Sequence, residues 1–150
     1  MSISQIGVFV ENHPGHVARV LDAFVEAKVQ VRGYCMSDTG DYGIVRFVVD
    51  NPEKAKQVLA DMGCAGGAKE VLCLRLPDRP GELARIMGVF ARLNINVEYS
   101  YSLVSTYIAI SVKDLAAAEE ALKKETVELI DQAQLTALVD LDRSNAQEGR

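Results

Sequence analysis

The spacing of apolar residues in the first third of the chain predicts a strand, a helix and a strand hairpin. Residues 3–10 form a short run rich in Ile and Val, which is typical of a buried strand. Apolar side chains then recur at three- and four-residue steps, which predicts an amphipathic helix from Pro14 in its first turn to about Lys28. Two further strands, 29–37 and 42–50, are separated by a polar turn and therefore form a hairpin.

The pattern next predicts a second helix and the end of the unit. Asn51 is placed to cap this helix, Pro52 occupies its first position, and Gly63 stops it. Residues 64–69 are small and Gly-rich, and they are interpreted as a short, weak fourth strand or a loop. The resulting order of elements is β-α-β-β-α-β, the order of a ferredoxin-like antiparallel sheet with helices on one face.

The second half of the chain repeats this order. After a strand at 70–76, the spacing predicts a helix ending near Asn94 and strands at 95–103 and 105–112. Asp114 is placed to cap the next helix, a short last strand follows at 127–130, and the spacing of Leu135, Leu138 and Val139 permits one more short helix.

The two halves share residues as well as a pattern. At a shift of 66 residues, six identities align: Pro14, Gly15, Ala18, Arg19, Phe24 and Val31 meet Pro80, Gly81, Ala84, Arg85, Phe90 and Val97. After the hairpin the shift falls to 63, so that Asn51 meets Asp114 and Ala55 meets Ala118. We therefore predict an α+β chain of two ferredoxin-like repeats, at residues 1–69 and 70–141, with a polar, frayed tail at 142–150. Pairing the two sheets edge to edge would protect strand edges that are otherwise exposed.

Each repeat places a Pro-Gly corner between its first strand and first helix, and these two corners are the candidate ligand-binding site. The first N–H groups of a helix lack intrahelical partners and carry partial positive charge, so they can hold a carboxylate. A glycine lets the backbone approach a ligand closely, and Asn12 or Asp78 could accept a hydrogen bond from an ammonium group. The alternative is that these two residues only cap the helices. The candidate residues are Asn12, His13, Pro14, Gly15, His16, Val17, Asp78, Arg79, Pro80, Gly81, Glu82 and Leu83.

Composition narrows the range of partners. The chain has 150 residues and a formal net charge of −5, which argues against nucleic acid or an anionic membrane as the main partner. No apolar run approaches the roughly 18 residues that a membrane helix needs, and the first residues do not resemble a signal peptide. Cys35, Cys64 and Cys73 have no Cys-x-x-Cys spacing and are interpreted as buried, reduced thiols. We expect a cytoplasmic protein without a cofactor.

The repeated β-α-β-β-α-β unit with Asp-Arg-Pro-Gly-Glu-Leu at its corner resembles the ACT domain, and the whole chain resembles a small protein of two such domains. The resemblance covers residues 3–130. The first corner departs from the commoner motif, with Asn12 and His13 before Pro-Gly and His16-Val17 after it. The resemblance implies an allosteric regulatory protein that binds an amino acid between paired units. It also implies that Tyr34–Ser37 and Tyr101–Ser105 form the far walls of the sites.

The sequence gives less support to a metal site or to enzymatic activity. His13 and His16, with Glu11, would be an incomplete set for a tetrahedral metal site, and polar loop residues or ligand contacts are the preferred interpretation. No nucleophile stands beside a plausible base, so we expect no enzymatic activity. Two functions remain open: a stand-alone amino-acid-binding regulator that forms a homodimer, and an assembly module that acts mainly through contact with an enzyme of amino-acid metabolism.

Overall fold

The computed structural model describes residues 1–11, 14–38, 40 and 42–138. These residues form two compact units. The unit that we call the first-repeat unit holds Ser4–Lys69 and, of the described residues after it, 133–138, and the second-repeat unit holds Met1–Ile3 and Glu70–Gln132. The elements follow in the order β1 (Ile3–Glu11), α1 (His16–Glu26), β2 (Val31–Asp38), β3 (Tyr42–Val49), α2 (Pro52–Asp61), β4 (Gly66–Arg75), α3 (Glu82–Arg92), β5 (Val97–Ser102), β6 (Tyr107–Val112) and α4 (Leu115–Leu122).

In the first-repeat unit, β3 is the central strand of an antiparallel sheet. It pairs with β1 on one side and with β2 on the other, so that Ile6 and Tyr34 both face Phe47. On the far side of β1, the Phe9 N–H donates to the carbonyl of Ala65 at 2.9 Å, which places the start of β4 next to β1. The end of the Gly-rich segment therefore forms a strand that pairs with β1. The strand order is that of a ferredoxin-like repeat.

The core of the first-repeat unit lies between the sheet and its two helices. Alternate residues of β1 and β3 meet the inner stripes of α1 and α2. The Phe24 and Phe47 rings meet edge to face, with their centroids 5.3 Å apart. The buried members of this core are Ile6, Val8, Val10, Val20, Phe24, Val29, Val45, Phe47, Val49, Ala55 and Leu59. Both helices thus cover one face of the sheet, as the sequence predicts.

The second-repeat unit repeats the arrangement. Strand β6 pairs antiparallel with β4 and with β5. The predicted last strand is a single bridge between Leu74 and Leu129, flanked by hydrogen bonds from Arg75 N–H to Glu128 and from Ile130 N–H to Cys73. The buried core members are Leu72, Leu74, Ile86, Val89, Phe90, Ile108, Ile110, Val112, Ala118 and Leu122. The α+β class with two ferredoxin-like repeats is confirmed.

The two repeats also match in backbone detail. Gly15 and Gly81 precede α1 and α3 with φ angles of 89° and 85°, in the left-handed region that favours glycine. Lys28 and Asn94, also 66 positions apart, follow the same helices with φ angles of 58° and 54°. Each of these helices ends in a backbone hydrogen bond of 2.9 Å. Val29 N–H donates to the Phe24 carbonyl, and Ile95 N–H donates to the Phe90 carbonyl. The repeat is therefore conformational as well as sequential.

Three local predictions need correction or completion. Helix α1 begins at His16 with Gly15 as its N-cap, so Pro14 lies before the helix and not in its first turn. The segments 64–69 and 70–76 are not two strands, because β4 runs without a break from Gly66 to Arg75. A short helix does cover residues 132–138, whereas the tail predicted at 142–150 lies outside the described residues. Among the described residues, no helix has the length and apolar character needed to cross a membrane.

Candidate ligand-binding site

The second corner leaves the N terminus of α3 without a side-chain cap. Gly81 is the N-cap, with φ 85° and ψ −6°, and no side chain accepts a hydrogen bond from the first turn. By contrast, the Asn51 side chain accepts from Lys54 N–H at the start of α2, and that of Asp114 accepts from Ala117 N–H at the start of α4. Because Asp78 does not cap α3, the capping interpretation fails at this corner. The Glu82 N–H donates to the Arg79 carbonyl at 3.4 Å, so the N–H groups that face a ligand without a side-chain cap are those of Leu83 and Ala84.

A cavity of about 440 Å³ lies against this helix start. It brings four of the six candidate residues of the corner together, namely Asp78, Arg79, Gly81 and Leu83, whereas Pro80 and Glu82 do not line it. The other lining residues come from α3, from the chain just after β4 and from the β5–β6 turn with its flanks: Ala84, Leu76, Pro77, Ser102, Ser105, Thr106 and Tyr107. Part of the expected wall at Tyr101–Ser105 therefore faces the corner within the same unit.

Glu82 organises the charges of the corner from behind the cavity. One carboxylate oxygen accepts from the Arg79 guanidinium at 3.3 Å, and the other accepts two bonds from Arg85, at 3.1 and 2.9 Å. Arg85 also donates to the carbonyl of Thr126 at 2.6 Å. The Glu82 side chain is only 14% exposed whereas that of Arg79 is 70% exposed, so Arg79 can turn toward a ligand at little cost.

The wall opposite the helix is a tight turn held by backbone hydrogen bonds. Leu103 N–H donates to the Tyr107 carbonyl at 2.9 Å, and Leu76 N–H donates to the Thr106 carbonyl at 2.6 Å. Ser105 has a φ of 72°, which is uncommon for a residue with a side chain. The Leu76 bond ties the turn to the end of β4 and holds the backbone of this wall, which carries Ser102, Ser105 and Thr106 as lining residues.

Leu83 differs in role from its counterpart in the first repeat. The helical spacing groups it with Ile86 and Phe90 on the inner face of α3, but its side chain is 50% exposed and lines the cavity. Val17, at the same place in α1, packs against the first core. The apolar contact that Leu83 offers is thus directed at the cavity.

The first corner is described only in part. Asn12 and His13 lie outside the described residues. Pro14 and Gly15 are exposed, whereas His16, the first residue of α1, and Val17 are half-buried. Gly15 repeats the uncapped, left-handed geometry of Gly81, so the two corners share their backbone while their side chains differ.

A metal site finds no support in the described part of the chain. No group of three or more His, Cys, Asp or Glu side chains there is arranged to hold an ion, and His13 of the histidine pair falls outside it. Cys73 is fully buried, and burial raises the pKa of its thiol to about 12, which makes it a poor nucleophile.

Some lining residues were not foreseen from the sequence. Thr106 and Tyr107 directly follow the expected wall, and Leu76 and Pro77 directly precede the motif. The signal in the sequence that could have identified them is their position directly beside these two segments. A hairpin turn brings its two flanks together, so the wall continues past the residue at which a strand pattern ends.

Comparison with known proteins identifies the family to which a chain of this architecture belongs. The duplicated ferredoxin-like unit, with a strand–glycine–helix corner in each copy, defines the chain as a tandem α+β protein with two equivalent helix-start corners. The sequence profile of the family described as "ACT domain pair" matches residues 1–140, and the chain belongs to this family. The comparison with curated proteins finds no significant match.

Solved structures agree with the family. Protein BT0572 from Bacteroides thetaiotaomicron is 27% identical with a TM-score of 0.84, over 91% of this chain and 96% of that one. The ligand-free regulatory subunit of aspartate kinase from Thermus thermophilus is 21% identical with a TM-score of 0.58, over 80% of this chain and 87% of that one. The second likeness is one of fold.

Proposed function

We propose that this chain is a regulatory protein without catalytic activity, and that it binds an amino acid at the second corner. The carrying observation is that an uncapped helix start and the Asp78 carboxylate line the same cavity. The N–H groups of the first turn suit the carboxylate of an amino acid, and Asp78 suits its ammonium group. Leu83 and the three hydroxyl groups then contact the side chain.

The size and charge of the cavity support this reading. A volume of about 440 Å³ lies within the range of about 300–1,000 Å³ that is usual for small-molecule sites. A zwitterion needs one acceptor and one set of donors at a short separation. The corner offers the Asp78 carboxylate as acceptor and the N–H groups of the first turn of α3, at Leu83 and Ala84, as donors. The equivalent corner at Asn12–Val17, in the proposed first repeat of residues 1–69, would bind more weakly because Asn12 is neutral.

The test is a thermal-shift and calorimetric screen of the 20 proteinogenic amino acids against the purified chain. We expect saturable stabilisation by a subset of them, since a ligand that binds only the folded state raises the melting temperature. Gly81→Asp should reduce the affinity at least tenfold, because its carboxylate repels that of the ligand.

Gly81→Asn is the matched control. Asn has the same shape as Asp and tolerates the left-handed region equally well, so both variants carry the same backbone strain. Asn should therefore retain much more of the affinity than Asp. A screen with no saturable response at millimolar ligand would contradict the proposal. It would also be contradicted if Gly81→Asp and Gly81→Asn lost affinity equally while Gly15→Asp abolished binding, since the ligand would then lie at the first corner.

The second candidate is an assembly module, and the exposed edge of β2 favours it. Among the described strands, β2 lies at the end of the strand order. Tyr34 and Met36 on this strand are 60% and 55% exposed, and residues 31–38 contain no Lys or Pro to block pairing. A second copy could pair along this edge, and an enzyme of amino-acid metabolism is the alternative partner.

Sedimentation measures this candidate directly. The native chain should sediment as a dimer at micromolar concentration, and Met36→Lys should shift it toward the monomer. Val25→Lys, at an α1 position that is 73% exposed, is the control and should stay dimeric. A monomeric native chain that also captures no stoichiometric enzyme would contradict the assembly role while leaving ligand binding untouched.

A further inference from the structure

A second cavity, open to solvent on one side, lies in the first-repeat unit between α2 and the start of β4. Its volume is about 230 Å³, and it is separate from both corners. Ile6 and Leu59 supply apolar walls, Ala60 lines the helix side, and Cys64 and Gly66 line the strand side. Among the described residues that line it, Lys56 is the one charged residue.

The internal repeat explains why this space is empty. At the shift of 63 residues, Cys64 and Gly66 correspond to Val127 and Leu129. In the second-repeat unit those two side chains pack against the core. In the first-repeat unit the Leu position is a glycine, so the space below α2 lacks the branched side chain that its counterpart contains.

The gap cannot be closed by a side chain at position 66 without moving the backbone. A Cβ added at Gly66 would lie 2.1 Å from the carbonyl oxygen of Gly7 on β1. A Cβ essentially never comes within 3.0 Å of a heavy atom of a non-neighbouring residue. The close approach of the two strands at Gly7 and Gly66 therefore excludes a side chain at position 66.

The rim carries a cation that can change partner. Lys56 pairs with Glu53 at 2.5 Å, and the two side chains are 42% and 83% exposed. Such exposed pairs contribute little free energy, so a ligand carboxylate can replace Glu53 at small cost. An apolar space with one exchangeable ammonium group at its edge suits a molecule with an aliphatic body and a single negative end.

We propose that this cavity binds a small branched aliphatic carboxylate, with its apolar body in the space that Leu129 fills in the other repeat and its carboxylate on Lys56. An engineered apolar cavity of about 150 Å³ is large enough for benzene, so 230 Å³ accommodates a branched chain of leucine size. This inference is independent of the amino-acid proposal, because it uses none of the corner residues.

Calorimetry with 4-methylpentanoate tests the proposal, since this probe has the leucine side chain and a carboxylate but no amino group. We expect saturable one-site binding to the native chain. Ala60→Leu fills the cavity from α2 and should reduce the affinity at least tenfold, and Ala68→Leu, from the strand side, is a second filling variant. Lys56→Gln should weaken binding roughly twofold to fivefold, the range of one exposed ion pair.

Three controls separate the outcomes. Gln57→Leu adds the same side chain on α2 at a residue that does not line the cavity, and it should bind like the native chain. Isoamylamine has a similar body with a positive end and should not bind. Gly81→Asp should leave the probe's affinity unchanged. The proposal is overturned if the native chain shows no saturable binding, or if both filling variants bind the probe as tightly as the native chain does. It is also overturned if only Gly81→Asp loses affinity, which would place the probe at the corner.

Discussion

Two adjacent glycines should respond in opposite ways to the same substitution. A Cβ at Gly66 would lie 2.1 Å from the Gly7 oxygen, 3.2 Å from the Gly7 carbonyl carbon and 3.2 Å from the Val8 Cα. A Cβ at Gly67 meets nothing within 4 Å. Both residues belong to β4, and neither has the positive φ that would favour glycine. The contrast between Gly66→Ala and Gly67→Ala therefore isolates the contact between strands.

The magnitude follows from the distance. Relieving a 2.1 Å contact to backbone requires β1 and β4 to separate by roughly 1 Å, because neither partner is a flexible side chain. Overpacking of this kind costs about 1–3 kcal/mol. The neighbouring bond from Phe9 N–H to Ala65, now 2.9 Å, would stretch, and its loss adds about 0.5–1.5 kcal/mol. Gly66→Ala should thus cost about 2–4 kcal/mol, whereas Gly67→Ala should be neutral or stabilise by up to about 1 kcal/mol.

Urea unfolding followed by circular dichroism measures both variants against the native chain. For a chain of this length, each kcal/mol corresponds to about 2–4 °C in melting temperature, so thermal scans should differ by several degrees or more. The reasoning is refuted if the two variants unfold within about 0.5 kcal/mol of each other. It is also refuted if Gly67→Ala is the more destabilising of the two.

Two further predictions concern helix caps and a buried thiol. Asn51→Ala and Asp114→Ala each remove an acceptor for a first-turn N–H, at 3.1 and 3.0 Å, and each should cost about 1 kcal/mol in urea unfolding. Equal stability of either variant and the native chain would contradict this. Burial raises the pKa of Cys73 to about 12, so folding favours the neutral thiol. The contribution of this buried neutral thiol to the free energy of unfolding is fully present below pH 9 and is lost as the pH rises from 9 toward 12. Between pH 8 and 10.5, the native chain should lose about 1–2 kcal/mol more than Cys73→Val, since each pKa unit is worth about 1.4 kcal/mol. Parallel losses would contradict the prediction.

The sequence was sufficient for the repeat because its signals are local. The helices and most strands follow from apolar spacing, and the caps at Asn51 and Asp114 follow from residue type at a helix start. The family prediction drawn from the Asp-Arg-Pro-Gly-Glu-Leu corner is confirmed by the match over residues 1–140. The assignment of ligand contacts to the corner residues stays a prediction.

What the sequence missed depends on contacts between distant residues. Residues 66–69 have weak strand propensity, and their strand conformation comes from pairing with β1, about 60 residues earlier along the chain. Leu83 fits the helical stripe, but core contact in α3 begins one turn later, at Ile86. The cavity below α2 did have a signal, because the alignment of Gly66 with Leu129 was present in the repeat itself.

The matched helix ends show what differs and what is shared between the two repeats of this chain. Lys28 and Asn94 hold the same left-handed conformation at the ends of α1 and α3, although Asn tolerates it with less strain than Lys. The backbone hydrogen bonds at this position have thus outlasted the residue identity since the duplication. Either residue can therefore end the helix in the same way, so the conformation here is set by the backbone hydrogen bonds more than by the side chain.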